Sequence, residues 1–412
     1  MLNQSFGSYY YNKKLYAMRE HVLADMLLNQ DYDANMLFTF HDKVFLAIDW
    51  TKEPDVAIDA LYKQRAQQLR NQYDYLILQF SGGADSTQIL KTFLKNDIFI
   101  DEIQVHAHIK AMNAVGKQTL LADGDLHWFL EYEYSAVPQL HQVEKLSPKT
   151  KITIIDPSDF LHEQLYESGL TKNKTVQLVK TDNNDLRFTN VSQKLTSSIA
   201  FTIFTMSNYH NTVNRNHSKR SGIIRGLEKP SLCFYNNGEN LGFHFNDIVM
   251  LTAGLYEKNQ VNDNLQIENF YWSPNAPLIP VKQSHMLKKA METNKELYIL
   301  FSKAHQRLSI RGGQNSEFGY DPAIEIERLY SDIIYPDWNS NRSFVAPKPT
   351  KINPEFKIWQ IISGDHYVDK LFLESRNFTD QQYSKISNKK QIHNTLFSRV
   401  YNLGKLDFKW IQ

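Results

Sequence analysis

The segment from Tyr73 to Lys95 constrains this chain more than any other. Tyr73-Asp74-Tyr75-Leu76-Ile77-Leu78-Gln79-Phe80 is a nearly continuous apolar run, the pattern of a strand buried on both faces of a parallel sheet. Ser81-Gly82-Gly83-Ala84-Asp85-Ser86 comes directly after it, and Thr87 to Lys95 places Ile89, Leu90 and Phe93 at helical spacing. The order is therefore strand, tight loop, helix. Two glycines at that turn remove the Cβ atoms that would hold an anion away from backbone N–H groups, and the helix N-terminus adds partial positive charge. Such a loop is an anion cradle, with Ser81, Ser86 and Thr87 as hydroxyl donors to phosphate oxygens. Asp85 is out of place in a bare anion site, and its use there is to hold Mg²⁺ that bridges phosphates and offsets their charge. No lysine stands where GxxxxGK[ST] demands one, so the loop is not of the Walker type.

Further strands recur at crossover spacing. Glu102 to Ile109 and Lys151 to Asp156 read as the second and third, with a helical stretch from Gly124 to about Lys145 between them. Alternating strand and helix predicts a parallel α/β sheet with right-handed crossovers. Gly222-Ile223-Ile224 is a short strand after a helical stretch at Leu195 to Asn216, and Leu232–Tyr235 with Leu241–Phe245 around Asn-Asn-Gly reads as a hairpin. Ahead of the loop, a tyrosine cluster at Tyr9-Tyr10-Tyr11 precedes Leu15, Met18, Val22, Met26 and Leu27 at amphipathic-helix spacing. Met36 to Ile48 reads as two short strands around a His-Asp turn, and Asp55 to Gln72 as a surface helix. Beyond Pro280 the pattern is mostly helical, ending in an irregular stretch from about Asn339 to Pro354. The expected organisation is an N-terminal α+β region (1–72), an α/β domain (73–290) and a mostly helical C-terminal region (291–412).

Composition excludes whole classes. Lys plus Arg total 46 against 45 Asp plus Glu, a formal charge of +1, which rules out a histone-like nucleic-acid binder. With 42% hydrophobic, 13% aromatic and 22% charged residues the chain lies far from the disordered regime. Cys233 is the only cysteine, so this chain alone supplies no disulfide, CxxC pair, cysteine zinc cage or iron–sulfur cluster. The polar opening Met1-Leu2-Asn3-Gln4 lacks the apolar core of a secretory signal, and Ile199 to Met206 falls short of the roughly 20 residues that cross a bilayer. A cytoplasmic protein without a membrane span is expected.

Ser81-Gly82-Gly83-Ala84-Asp85-Ser86 resembles the SGGxDS signature of the PP-loop (N-type) ATP pyrophosphatases, the adenine nucleotide α-hydrolase-like superfamily with its HUP-like fold. The resemblance covers about residues 70 to 235. It implies ATP and Mg²⁺ at the loop, cleavage of ATP between the α and β phosphates, and transfer of AMP to a substrate oxygen. The single cysteine speaks against the thiolation, sulfonucleotide-reducing and zinc-dependent branches. Adenylation and then attack of an amine or ammonia remains. The layout is most similar to the synthetase domain of asparagine synthetase, without the N-terminal cysteine and longer preceding domain of the glutaminase half. By that resemblance Leu130-Glu131-Tyr132-Glu133-Tyr134 supplies Glu131 as catalytic acid/base, with Tyr132 or Tyr134 as a supporting hydroxyl. Arg225-Gly226-Leu227-Glu228-Lys229-Pro230 supplies Lys229 against departing pyrophosphate and Glu228 beside Asp85 at the metal. Backbone groups of Val105 and Ala107 are placed to read adenine.

Other signals have two readings each. Asn269 to Pro274 with Lys282, Gln283 and His285 is either a substrate surface or an aromatic anchor, and the anchor is the more economical reading. His106 and His108 project to one strand face but have no third ligand at useful spacing. Basic runs at Arg215, His217, Lys219, Arg220 and Arg225, and at Lys385, Lys389, Lys390, Arg399, Lys405 and Lys409 interleaved with aromatics, read as a solvated face or as a nucleic-acid track. The substrate is accordingly expected to be a small molecule or nucleobase, with tRNA or DNA base modification as the alternative and a non-catalytic nucleotide-binding scaffold as a third. The sequence leaves the oligomeric state open.

Overall fold

The computed structural model describes residues 7–16, 19–159, 178–180, 186–188, 219–226, 229–235, 240–247, 264–309, 329–341, 343–344, 357–358, 361–362, 383–388, 390–393 and 396–410. The strands are β1 (Ser8–Tyr11), β2 (Lys14–Tyr16), β3 (Leu37–Thr39), β4 (Tyr75–Gln79), β5 (Glu102–His106), β6 (Lys151–Ile155), β7 (Leu178–Lys180), β8 (Leu186–Phe188), β9 (Ser221–Arg225), β10 (Ser231–Tyr235), β11 (Asn240–His244), β12 (Leu265–Asn269) and β13 (Tyr401–Lys405). The helices are α1 (Arg19–Leu28), α2 (Asp42–Phe45), α3 (Ile58–Gln72), α4 (Ala84–Lys95), α5 (Ile109–Val115), α6 (Lys117–Ala122), α7 (His127–Glu131), α8 (Val137–Leu146), α9 (Leu278–Thr293), α10 (Lys295–Ser309) and α11 (Lys390–His393). Residues 329–334 are also helical.

The central sheet has the order β12-β9-β4-β5-β6 and is parallel throughout. It is an α/β fold, and the apolar run of β4 explains why that strand is central: Leu76, Ile77 and Leu78 are all fully buried. Leu78 aligns with Ile103 on one side and Ile224 on the other. Chain order runs outward from β4 in both directions, to β5 and β6 on one side and to β9 and β12 on the other. The reversal puts a crevice between β4 and β9 at their carboxyl ends, where open α/β sheets bind ligands.

Several expectations need correction. The tyrosine cluster forms strand β1. Asn12 and Lys13 take φ of 45° and 63°, and this two-residue turn folds β2 back with Tyr11 opposite Lys14. Only the later part of the expected helix forms, as α1. Leu37–Thr39 does form a strand, but it pairs with β1. The expected second strand of that pair is replaced by helix α2, because His41 at φ 47° turns the chain into a helical cap instead of a hairpin. α3 forms as the expected surface helix, with Lys63, Gln64 and Gln67 exposed and Tyr62, Arg65, Ala66 and Leu69 buried on its inner face. Strand β12 was not expected at all; only Leu265 and Ile267 alternate before Asn269, too short a pattern to read. The helix expected at 195–216 lies outside the described residues.

The β10–β11 hairpin forms as expected, with its turn residues 236–239 outside the described residues. β13, from the expected C-terminal helical region, pairs antiparallel with β11 to complete a second sheet. Its aromatic core joins the N-terminal region: Trp50 stacks on Phe243 and Tyr401 at 4.9 Å and 4.7 Å, and Phe40 on Phe245 at 4.3 Å. Asp247 ties the same regions together, accepting from Tyr9 Oη (2.7 Å), Arg19 and the Leu396 N–H (2.9 Å). Among the described residues no helix is long and apolar enough to cross a membrane.

Candidate functional site

The loop at the carboxyl end of β4 is shaped by its glycines. Gly82 has φ +88°, and a Cβ there would lie 2.7 Å from the Ala136 nitrogen. Its carbonyl accepts from Ser135 Oγ at 2.6 Å and from Thr87 Oγ1 at 3.1 Å. Ser135 and Ala136 belong to a π-helical turn, Tyr132–Ala136, between α7 and α8. The Val137 N–H closes this turn on the Tyr132 carbonyl, and Pro138 follows in the first turn of α8, where its missing N–H is tolerated. Gly82→Ala is expected to lower the unfolding free energy by at least about 2 kcal/mol, from left-handed backbone strain plus the Ala136 contact. An unchanged denaturation midpoint would show that the loop has an alternative seat.

Gly83 caps α4 without any side-chain hydrogen bond, so first-turn N–H groups of the helix remain for a ligand. A Cβ at Gly83 would stand 2.7 Å from Glu131 Oε1 and 3.2 Å from Ser81 Oγ. Such a Cβ-free cradle suits an anion. The hydroxyls divide into two groups. Ser81 is exposed at the loop, whereas Ser86 is buried and donates to the Gly83 carbonyl at 3.2 Å. Thr87, also buried, is turned to Gly82 and receives from Gln139 at 3.0 Å. Ser86 and Thr87 therefore brace the loop from within rather than facing outward as phosphate donors.

Asp85 is the hub of the site. Its Oδ2 accepts from Lys229 Nζ at 2.9 Å, its Oδ1 from Tyr335 Oη at 2.5 Å, and its backbone carbonyl from Tyr271 Oη at 2.7 Å. Lys229 lies just past the end of β9, across the crevice. The approach depends on Gly226, where a Cβ would be 3.1 Å from Asp85 Cβ and 3.0 Å from Ile89 Cδ1. Glu131 completes the group from the end of α7. Burial and then the charge of Asp85 raise its carboxyl to about 7, with Lys229 pulling the other way. Three residues far apart in sequence, Asp85, Glu131 and Lys229, thus meet around one glycine loop at the sheet's switch point. A partly exposed carboxylate beside an anion cradle suits a hard cation such as Mg²⁺, which takes one or two carboxylates and phosphate oxygens. Among the described residues no group of three or more His, Cys, Asp and Glu is gathered to hold a metal by itself.

The chain matches no protein-family model, no curated protein and no solved structure.

Glu228 lies outside the described residues. Val105 is buried within β5 opposite Ile154. Ala107 already donates its N–H to the Ile155 carbonyl at 3.0 Å, while its carbonyl accepts from Ile109 N–H at 2.9 Å, so its N–H is not available to read a base. Burial lowers the His106 and His108 imidazoles to about 3 and about 4, which keeps both neutral at pH 7. Of the basic runs, Arg220 lies 5.6 Å over the Tyr73 ring, Arg225 donates to Gln79 at 2.6 Å, and Arg399 pairs with Asp42 at 3.2 Å. Arg215, His217 and Lys389 lie outside the described residues. The 269–285 passage is an internal anchor: Phe270, Tyr271 and Trp272 are fully buried. Lys282 reaches Glu53 at 2.7 Å and His285 reaches the Trp50 carbonyl at 2.9 Å.

Sequence reasoning missed Ser135 and Tyr335, and marked Tyr271 only as part of the aromatic passage from Asn269 to Pro274. One signal was present. Gln88 and Thr92 are polar residues on a helix face that packs inward, both with 0% exposure, and Gln88 exchanges hydrogen bonds with Asp337 (2.9 Å in each direction).

Proposed function

We propose that the chain is a Mg²⁺-dependent ATP pyrophosphatase of the PP-loop kind, with a HUP-like domain. It adenylates a carboxylate or amide-type oxygen and promotes attack by a nitrogen nucleophile, as a carbon–nitrogen ligase does. The observation that carries this reading is the meeting of Asp85, Lys229 and Glu131 at one glycine loop, in the crevice where the strand order reverses.

Each residue has a chemical part. Ser81 and the first-turn N–H groups of α4 are donors for phosphate oxygens. When bound, Mg²⁺ at Asp85 neutralises phosphate charge. The substrate oxygen attacks the α-phosphorus of ATP, the bond to the bridging oxygen breaks, and pyrophosphate leaves with the electron pair. Lys229 stabilises the charge that develops there. The nitrogen nucleophile then displaces AMP, and the proton it releases passes to Glu131, whose carboxyl near 7 suits transfer at neutral pH.

Incubation of the protein with ATP, Mg²⁺ and a panel of carboxylates with ammonia or amines is expected to yield AMP and pyrophosphate in equal amounts. ADP and phosphate as products would overturn the reading.

A further inference from the structure

We propose that Tyr335 is a positioning residue, supplied by the C-terminal part of the chain, that fixes the Asp85 carboxylate for a divalent cation. This rests on the ATP-pyrophosphatase reading and adds a part of the chain which that reading does not use. The two groups holding the Asp85 side chain differ in kind. Tyr335 is fully buried, donates to Oδ1 at 2.5 Å and packs its ring 5.2 Å from that of Tyr271. Lys229 bonds Oδ2 at 2.9 Å from a flexible stem.

The chain around Tyr335 is latched to the helix that Asp85 opens. The Ile334 carbonyl accepts from Tyr62 Oη at 2.9 Å. Asp337 exchanges bonds with Gln88, accepts from Lys91 Nζ on its carbonyl at 2.6 Å and pairs with Lys95 at 2.5 Å. Asp85, Gln88, Lys91 and Lys95 succeed one another at intervals of three and four residues, so they share one face of α4. Residues 334–337 run along that face, and Tyr335 arrives at Asp85 with little freedom to leave. A carboxylate offers about four lone-pair directions. Tyr335 permanently takes one on Oδ1 and holds the rotamer, so Oδ2 stays turned to the crevice, where the Lys229 ammonium is the group a cation displaces. Without the hydroxyl the carboxylate can rotate about its last torsion, and the ordering cost falls on metal binding.

The test is calorimetry on the full chain with ATP, once with Mg²⁺ and once with EDTA, for the wild type and Tyr335→Phe. The expected result is about 10-fold weaker binding of Mg²⁺-ATP by the variant, with metal-free ATP bound equally by both proteins and the melting temperature nearly unchanged. Equal affinity for Mg²⁺-ATP would overturn the positioning role and leave the functional reading intact. An equal loss with and without Mg²⁺ would also overturn it, since damaged packing does not distinguish the metal. A wild type that binds no Mg²⁺-ATP would overturn the functional reading and this one with it.

Discussion

Asp85→Asn is expected to reduce Mg²⁺-dependent pyrophosphate release by at least about 100-fold while leaving the fold intact. The change is nearly isosteric, so Tyr335 still finds an oxygen acceptor and the Tyr271 bond to the backbone carbonyl is untouched. What disappears is the negative charge that a hard cation requires. The loss of the Lys229 pair contributes little to stability, because both partners keep some exposure, 18% and 27%, and such pairs contribute at most about 1 kcal/mol. Thermal unfolding and pyrophosphate release measured on the same preparation separate the two effects. Unchanged turnover would remove Asp85 from the mechanism, and a collapsed melting transition would show that its role is structural.

Glu131→Gln is expected to have two effects that share one cause. Turnover should fall by about 10²- to 10⁴-fold, the usual contribution of a positioned acid/base, and the pH dependence through 7 should vanish with it. Stability should change in the opposite sense. Burial and the neighbouring Asp85 raise the folded-state carboxyl from 4.5 to about 7, so between those values the folded protein holds a proton that the unfolded chain has released. Stability from this group is therefore fully present below about 4.5 and is lost as pH rises through 7. At about 1.4 kcal/mol per pH unit the loss is at most about 3.5 kcal/mol. The Gln variant should lack that decline and become the more stable protein at pH 8. Denaturant midpoints from pH 5 to 9 decide the matter, and parallel curves for the two proteins would show that Glu131 ionises normally.

The loop and its setting were legible because they are local. A buried run, two glycines and a helical period lie within 23 consecutive residues from Tyr73 to Lys95, and the structure realises them as β4, loop and α4. Strands β5, β6 and β9 and the β10–β11 hairpin were legible for the same reason. The N-terminal hairpin was not, since Asn12 and Lys13 adopt positive φ without the glycine that announces such a turn. Strand β13 was hidden differently: its partner β11 precedes it by about 160 residues, and no spacing rule spans such a distance. Gly82 was legible as a glycine that matters, but the atom it avoids, the nitrogen of Ala136, was not.

By itself, then, the sequence determined that a glycine loop carrying Asp85 joins a central parallel strand to a helix, because local period and backbone permissiveness act over a few residues. Only the tertiary structure decided what surrounds Asp85. Lys229 arrives from β9, Glu131 from α7 and Tyr335 from beyond α10, each carried there by a sheet order or helix packing that depends on contacts across the whole chain. The tyrosines in particular resembled ordinary core residues. Their hydroxyls acquire a role because burial leaves each needing a hydrogen-bond acceptor, and the oxygens of Asp85 are the acceptors they reach.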